Sequence, residues 1–145
     1  MGGLIIFMLV LGVIGFLAWQ FMEGRRALAT TSVVTPHTPA EAVPLISSAF
    51  DGSRALLWTE TSGPGSINMR RRGYRRGITM SIDIVPLPAG GSRIDMWASQ
   101  YLEYFLVLVN FAGVVNRRKK AIARIIAGPG AGNTGPREAR KPVSR

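Results

Sequence analysis

Residues 78–100 read ITMSIDIVPLPAGGSRIDMWASQ. In the first eight, Ile78, Met80, Ile82 and Ile84 alternate with Thr79, Ser81 and Asp83. That period of two puts the apolar set on one face of a strand. PLPAGGS (86–92) is a turn, rich in residues that fix or free the backbone. RIDMWASQ (93–100) alternates again, with Ile94, Met96 and Ala98 on one face. Two such strands across a short turn make an antiparallel hairpin with one buried face, and that face needs a cover.

Upstream, ALLWTETS (55–62) and SINMRRRG (66–73) carry strand residues on either side of Gly63-Pro64-Gly65. With the hairpin they predict a four-stranded meander, and Thr30–Thr35 adds a fifth strand. TPAEAVPLISSAF (38–50) predicts a short helix. Thr38 is its N-cap, Pro39 its first position and Glu41 its third, a capping box, and Asp51-Gly52 ends it.

FLVLVNFAGVVNRRKK (105–120) reads either as a second membrane span or as the helix that covers the sheet. Its uncharged run, Tyr104–Asn116, is 13 residues, too short for an unaided span, and Glu103 closes it. Crossing from a cytoplasmic domain would also put Arg117–Lys120 outside, against the positive-inside rule. A long closing helix over 101–127 suits both facts, with Ala121, Ile122, Ile125 and Ile126 continuing its buried stripe. Phe105–Val115 dipping into a bilayer interface is the remaining reading.

LIIFMLVLGVIGFLAWQFM (4–22) carries no charge. Nineteen helical residues cover about 29 Å, close to the hydrocarbon thickness of a bilayer. A cleaved signal peptide would want a basic start, a shorter apolar core and a cleavage site. Here MGG precedes the run and EGRR (23–26) follows it, which favours an uncleaved anchor. Arg25 and Arg26 place the N-terminus outside and the rest in the cytoplasm. The organisation expected is an anchor with a basic flank (1–26), a small α+β domain (27–127) and a disordered basic tail (128–145).

The order of strand, helix, meander and closing helix resembles a shortened START-like domain, the helix-grip fold of polyketide-cyclase and lipid-transfer proteins. The resemblance rests on TPHTPAEAVPLIS, on GITMSIDIVPLPAGGSRIDMWAS with its Gly-Gly turn, and on the closing helix at 101–127. It implies an apolar ligand cavity under that helix. That family usually has about seven strands, and five are found here.

The formal charge is +10, from 18 basic and 8 acidic residues. Residues 27–116 carry seven basic and six acidic side chains; 117–145 carry nine and one. Fifteen of the basic residues are arginine, a bias that suggests a GC-rich bacterial or phage genome. Such a balance points to polyanions, either anionic headgroups or nucleic acid. The chain has no cysteine, which excludes disulfides and thiolate chemistry. His37 is the one histidine and falls in a turn. Asp83 and Asp95 would face each other across the hairpin, yet an exposed sheet face also needs polar residues. GPGS and AGPGAGNTG lack the lysine and helix of a phosphate-binding loop. No catalytic set, metal site or cofactor is expected.

Two residue sets remain. Ile78, Met80, Ile82, Ile84, Ile94 and Met96 would line an apolar pocket if one exists, and otherwise form the core. Arg70, Arg72, Arg75, Arg76, Arg117, Arg118, Lys119 and Lys120 would contact a membrane surface or polyanion, each worth about 1 kcal/mol near an anionic leaflet. The preferred reading is a non-enzymatic, single-pass accessory protein of the inner membrane. Anionic lipid and another membrane protein would be its partners. An apolar-ligand binder and a membrane-tethered nucleic-acid binder are the alternatives, with nucleic acid the least favoured partner.

Overall fold

The computed structural model describes residues 2–52, 56–72, 77–101, 103–104, 107–108 and 112–128. The fold is α+β: an apolar N-terminal helix leads into a five-stranded antiparallel sheet with two helices on one face.

Helix α1, Gly2–Leu28, is long and apolar enough to cross a membrane. Its side chains are exposed through Trp19. Its last turns then enter the domain. Gly24 and Ala27 are buried, and Gln20, Glu23 and Leu28 half-buried, one stripe at helical spacing. Strand β1, Thr31–Thr35, follows directly. Helix α2, Pro39–Ser48, opens on the expected capping box. Glu41 N–H donates to Thr38 Oγ1 at 3.4 Å and Thr38 N–H donates to Glu41 Oε2 at 2.8 Å. The Thr38 N–H, and the Thr38 hydroxyl that also donates to Glu41 Oε2 at 3.0 Å, hold the Glu41 carboxyl below its usual range.

Strands β2 (Trp58–Glu60), β3 (Ile67–Arg71), β4 (Thr79–Pro86) and β5 (Ser92–Gln100) form the meander. Strand β1 pairs with β5, so the sheet order is β1-β5-β4-β3-β2. The inner face supplies Ile78, Met80, Ile82, Ile94, Met96 and Ala98 to the core. Ala42 and Ile46 of α2 meet them, with Phe50 edge-on to Trp58 at 5.4 Å.

The closing helix starts later than the sequence suggested. Helix α3 is Ala112–Ala127. Before it, β6 (Glu103–Tyr104) and β7 (Val107–Leu108) pair as a two-stranded hairpin, with β7 alongside α1. Aromatic and β-branched residues in this run suit a strand as well as a helix, and a short apolar run carries no period to separate them. Helix α3 still covers the core. Its buried stripe is Ala112, Val115, Lys119, Ile122 and Ile126, whereas Ile125 is exposed.

The outer face of the sheet is also partly buried. Thr79 and Ser81 are fully enclosed: the Gly63–Ser66 turn, with Asn68 at its base, folds over β4 at Ser81 and Ile82, and Thr79 Oγ1 is bonded to Gln100. Asn68 Nδ2 donates to the Gly65 carbonyl at 2.7 Å, and its Oδ1 accepts from Gly65 N–H at 3.0 Å and from Ser81 Oγ at 2.6 Å. Asn68→Ala removes all three bonds from a buried site. It is expected to cost about 2 kcal/mol of stability, measured by denaturant unfolding in detergent.

Candidate functional site

The contacts of α3 with α1 and β1, together with the sheet register, fix which end of the sheet lies nearest α1. Helix α3 runs beside the path from α1 into β1 and points the same way. Asn116 Nδ2 donates to the Glu23 carbonyl at 3.0 Å and to Glu23 Oε2 at 2.8 Å. Lys119 Nζ donates to the carbonyls of Arg26, Ala27 and Ala29 at 3.0, 2.9 and 2.6 Å. One end further on, Thr35 Oγ1 donates to the Ile126 carbonyl at 3.3 Å. The start of β1 is therefore the end of the sheet nearest α1.

Strand β5 returns antiparallel to β1, with Ser92 opposite Thr35 and Met96 opposite Thr31. The residues beyond Met96 have no partner on β1. At strand rise they extend about 13 Å back toward α1, and β5 does contact α1. The register then carries this level across the sheet: Gln100 lies opposite Thr79, Thr79 opposite Arg70, and Arg71 opposite Trp58. The end of β3 and the start of β2 thus share the sheet end from which the exposed apolar part of α1 projects.

That end is basic with apolar tips. Arg70 and Arg72 are exposed, and neither has an acidic partner among the described residues. Arg71 is half-buried opposite Trp58. Burial, and then the like charge of Arg117, hold its guanidinium below the ordinary arginine value. Leu56 is 79 % exposed, and Leu57 and Tyr101 are exposed as well, at the ends of β2 and β5 that share this side of the sheet. Gly77 closes the return into β4, where a Cβ would overlap the Arg71 carbonyl oxygen. Arg75 and Arg76 lie outside the described residues, as does Phe105.

The basic run at 117–120 is divided. Arg117 and Lys120 are exposed, and Arg117 Nε donates back to the Gly113 carbonyl at 3.2 Å. Arg118 is half-buried. Its Nη1 donates to the Ala49 carbonyl at the end of α2, and its guanidinium lies 5.7 Å from the Phe50 ring centre. Lys119, expected at the surface, is 4 % exposed. Adjacent residues thus close the C-terminal ends of α2 and α1, where carbonyls lack helical partners and the helix dipole favours a cation. Burial pulls the Lys119 ammonium down to about 8.

The apolar set lies in the core, with Ile78, Met80, Ile82, Ile94 and Met96 fully enclosed and Ile84 half-buried. Asp83 and Asp95 are direct cross-strand partners on the outer face. Each is satisfied locally. Ser66 Oγ donates to Asp83 at 2.6 Å, and Ser32 Oγ donates to Asp95 at 2.7 Å. Arg93 pairs with Asp95 at 3.1 Å. Among the described residues, no group of His, Asp or Glu side chains is placed to hold a metal ion.

A polar cleft of about 540 Å³ opens at the α1 end of the outer face, lined by Arg70, Gly77, Ser99, Gln100 and Tyr101 among the described residues. Comparisons of the chain with protein-family models, curated proteins and solved structures give no match.

Proposed function

We propose that the protein is a single-pass membrane-anchored accessory protein, without a reaction of its own, whose α+β domain is held against the anionic cytoplasmic leaflet. One observation carries this reading: the exposed arginines and leucines gather at the sheet end from which the apolar helix projects. A bilayer around residues 4–19 would meet that end first. Arginines would then reach headgroup phosphates while Leu56, Leu57 and Tyr101 enter the interface. The burial of Gly24 and the Asn116 bonds to Glu23 favour an anchor over a cleaved leader, because cutting near residue 24 would remove both from the domain. A rim turned toward a bilayer is poorly placed for nucleic acid, which favours lipid as the polyanion.

The absence of native cysteine makes the test clean. Leu56→Cys and Ala89→Cys put a polarity-sensitive fluorophore at the α1 end and on the exposed turn at the opposite end of the sheet. In phosphatidylglycerol vesicles the full chain should show a blue shift at position 56 and none at 89. Equal shifts, or none at 56, would remove the surface reading. In intact cells, an impermeant maleimide should leave the Ala89→Cys thiol unlabelled until the membrane is opened. Labelling from outside would reverse the orientation.

A further inference from the structure

We infer that the cleft at the α1 end of the outer face is a binding site for a phosphate group that carries a hydroxyl. The lipid source of that group rests on the membrane reading above. Arg70 brings a guanidinium to the cleft, with no carboxylate among the described lining residues. Its planar fork matches two phosphate oxygens.

The other lining groups have assigned polarity. Gln100 Oε1 accepts from Thr79 Oγ1 at 3.2 Å, which leaves its NH₂ as the end to offer a ligand. The Tyr101 phenol adds a hydroxyl that can donate. Ser81 Oγ lies 2.6 Å from both Asn68 Oδ1 and Ser99 Oγ. Asn68 Oδ1 can only accept, so the Ser81 proton goes there and Ser99 must donate to Ser81. Ser99 therefore presents lone pairs, not a proton, to the cleft. Three donors and one acceptor fit an anion with its own O–H. A phosphate monoester, hydrogen phosphate and a phosphoglycerol headgroup share that chemistry.

The site is built on strands. Thr79 and Arg70 are cross-strand partners, and the Gln100 amide bonds the Thr79 hydroxyl at 3.2 Å across the bulge beside Thr79, so the guanidinium and the amide share one sheet face. Gly77 lines the cleft with bare backbone and lets the chain pass close to Arg71.

The test follows the amides of Gly77, Ser99 and Gln100 by NMR in the full chain held in neutral maltoside micelles. Three probes are titrated: inorganic phosphate, glycerol phosphate, and short-chain phosphatidylglycerol doped into the micelle. Saturable shifts at these amides are expected. Arg70→Gln should weaken binding about tenfold or more. Arg72→Gln, which removes a neighbouring charge that does not line the cleft, should change it less than about threefold. Arg70 is exposed, so its variant should keep the wild-type spectrum elsewhere. Shifts with the doped lipid alone assign a lipid headgroup; shifts with all three assign the phosphate group whatever its source. Non-saturating shifts, equal loss in both variants, or no shift with any probe would overturn the site. A failed titration beside an intact Leu56 blue shift would remove the cleft and leave the surface reading standing. Saturable phosphate shifts without that blue shift would do the reverse.

Discussion

Lys119→Met should destabilise the protein by about 3 kcal/mol at neutral pH, measured by urea unfolding in detergent with tryptophan fluorescence. Methionine keeps the apolar stem and removes the ammonium, so the change isolates the three hydrogen bonds to α1. Those carbonyls lie at the C-terminus of a helix packed against a domain, where lost partners are costly to replace. Relief of the buried charge offsets part of the loss, which keeps the expected effect below the sum of three charged bonds.

The pH dependence gives the same prediction a second readout. The Lys119 ammonium titrates near 8 in the folded chain and near 10.5 when unfolded. Between these values the unfolded state holds more protons, so stability rises as pH rises. This contribution is complete above 10.5 and is lost as pH falls through about 8. The gap between wild type and Lys119→Met should therefore widen from pH 8 to pH 10. A constant gap would show that the three carbonyls offset the burial and leave the Lys119 pKa unlowered.

Gly91→Ala should cost about 3 kcal/mol or more in the same assay, against about 1 kcal/mol for Gly90→Ala. Both glycines occupy the left-handed region, at φ of 79° and 91°, so both substitutions strain the backbone. Their surroundings differ. A Cβ at Gly90 meets open space, whereas one at Gly91 overlaps the Thr35 carbonyl oxygen and crowds Pro36. The second substitution forces β1 away from the β4–β5 turn, and Thr35 opposite Ser92 is where that pairing ends. Similar losses for both variants would mean that backbone strain, not crowding, sets the cost.

What the sequence showed depended on how local the cause was. The α2 capping box needs four consecutive residues and was readable. The alternation of Ile78–Ile84 against Ile94–Ala98 named the inner face correctly, because one period governs both strands. The outer face was misjudged as solvated. Ser81 is enclosed by a turn whose reach over the sheet is a tertiary fact. The start of α3 was blurred by an apolar run that suits either element. Lys119 was hidden in a basic run, although the spacing 115, 119, 122, 126 marks it as the one cation on an apolar stripe. The arginines at 70 and 72 were visible from composition, but their place at the α1 end of the sheet required the register of its strands.

The bonds from Lys119 to α1 span 90 to 93 residues of chain. Closing a loop of that length costs about 4 kcal/mol of chain entropy before any contact repays it. The first helix is thus made first and finished last. While the sheet is being synthesised, the end of α1 has water in place of its lysine. Its joint with the domain sets only after the sixteen residues of α3 follow. Such distant pairings fold slowly, and a variant that delays α3 should first expose the junction at residues 26–30.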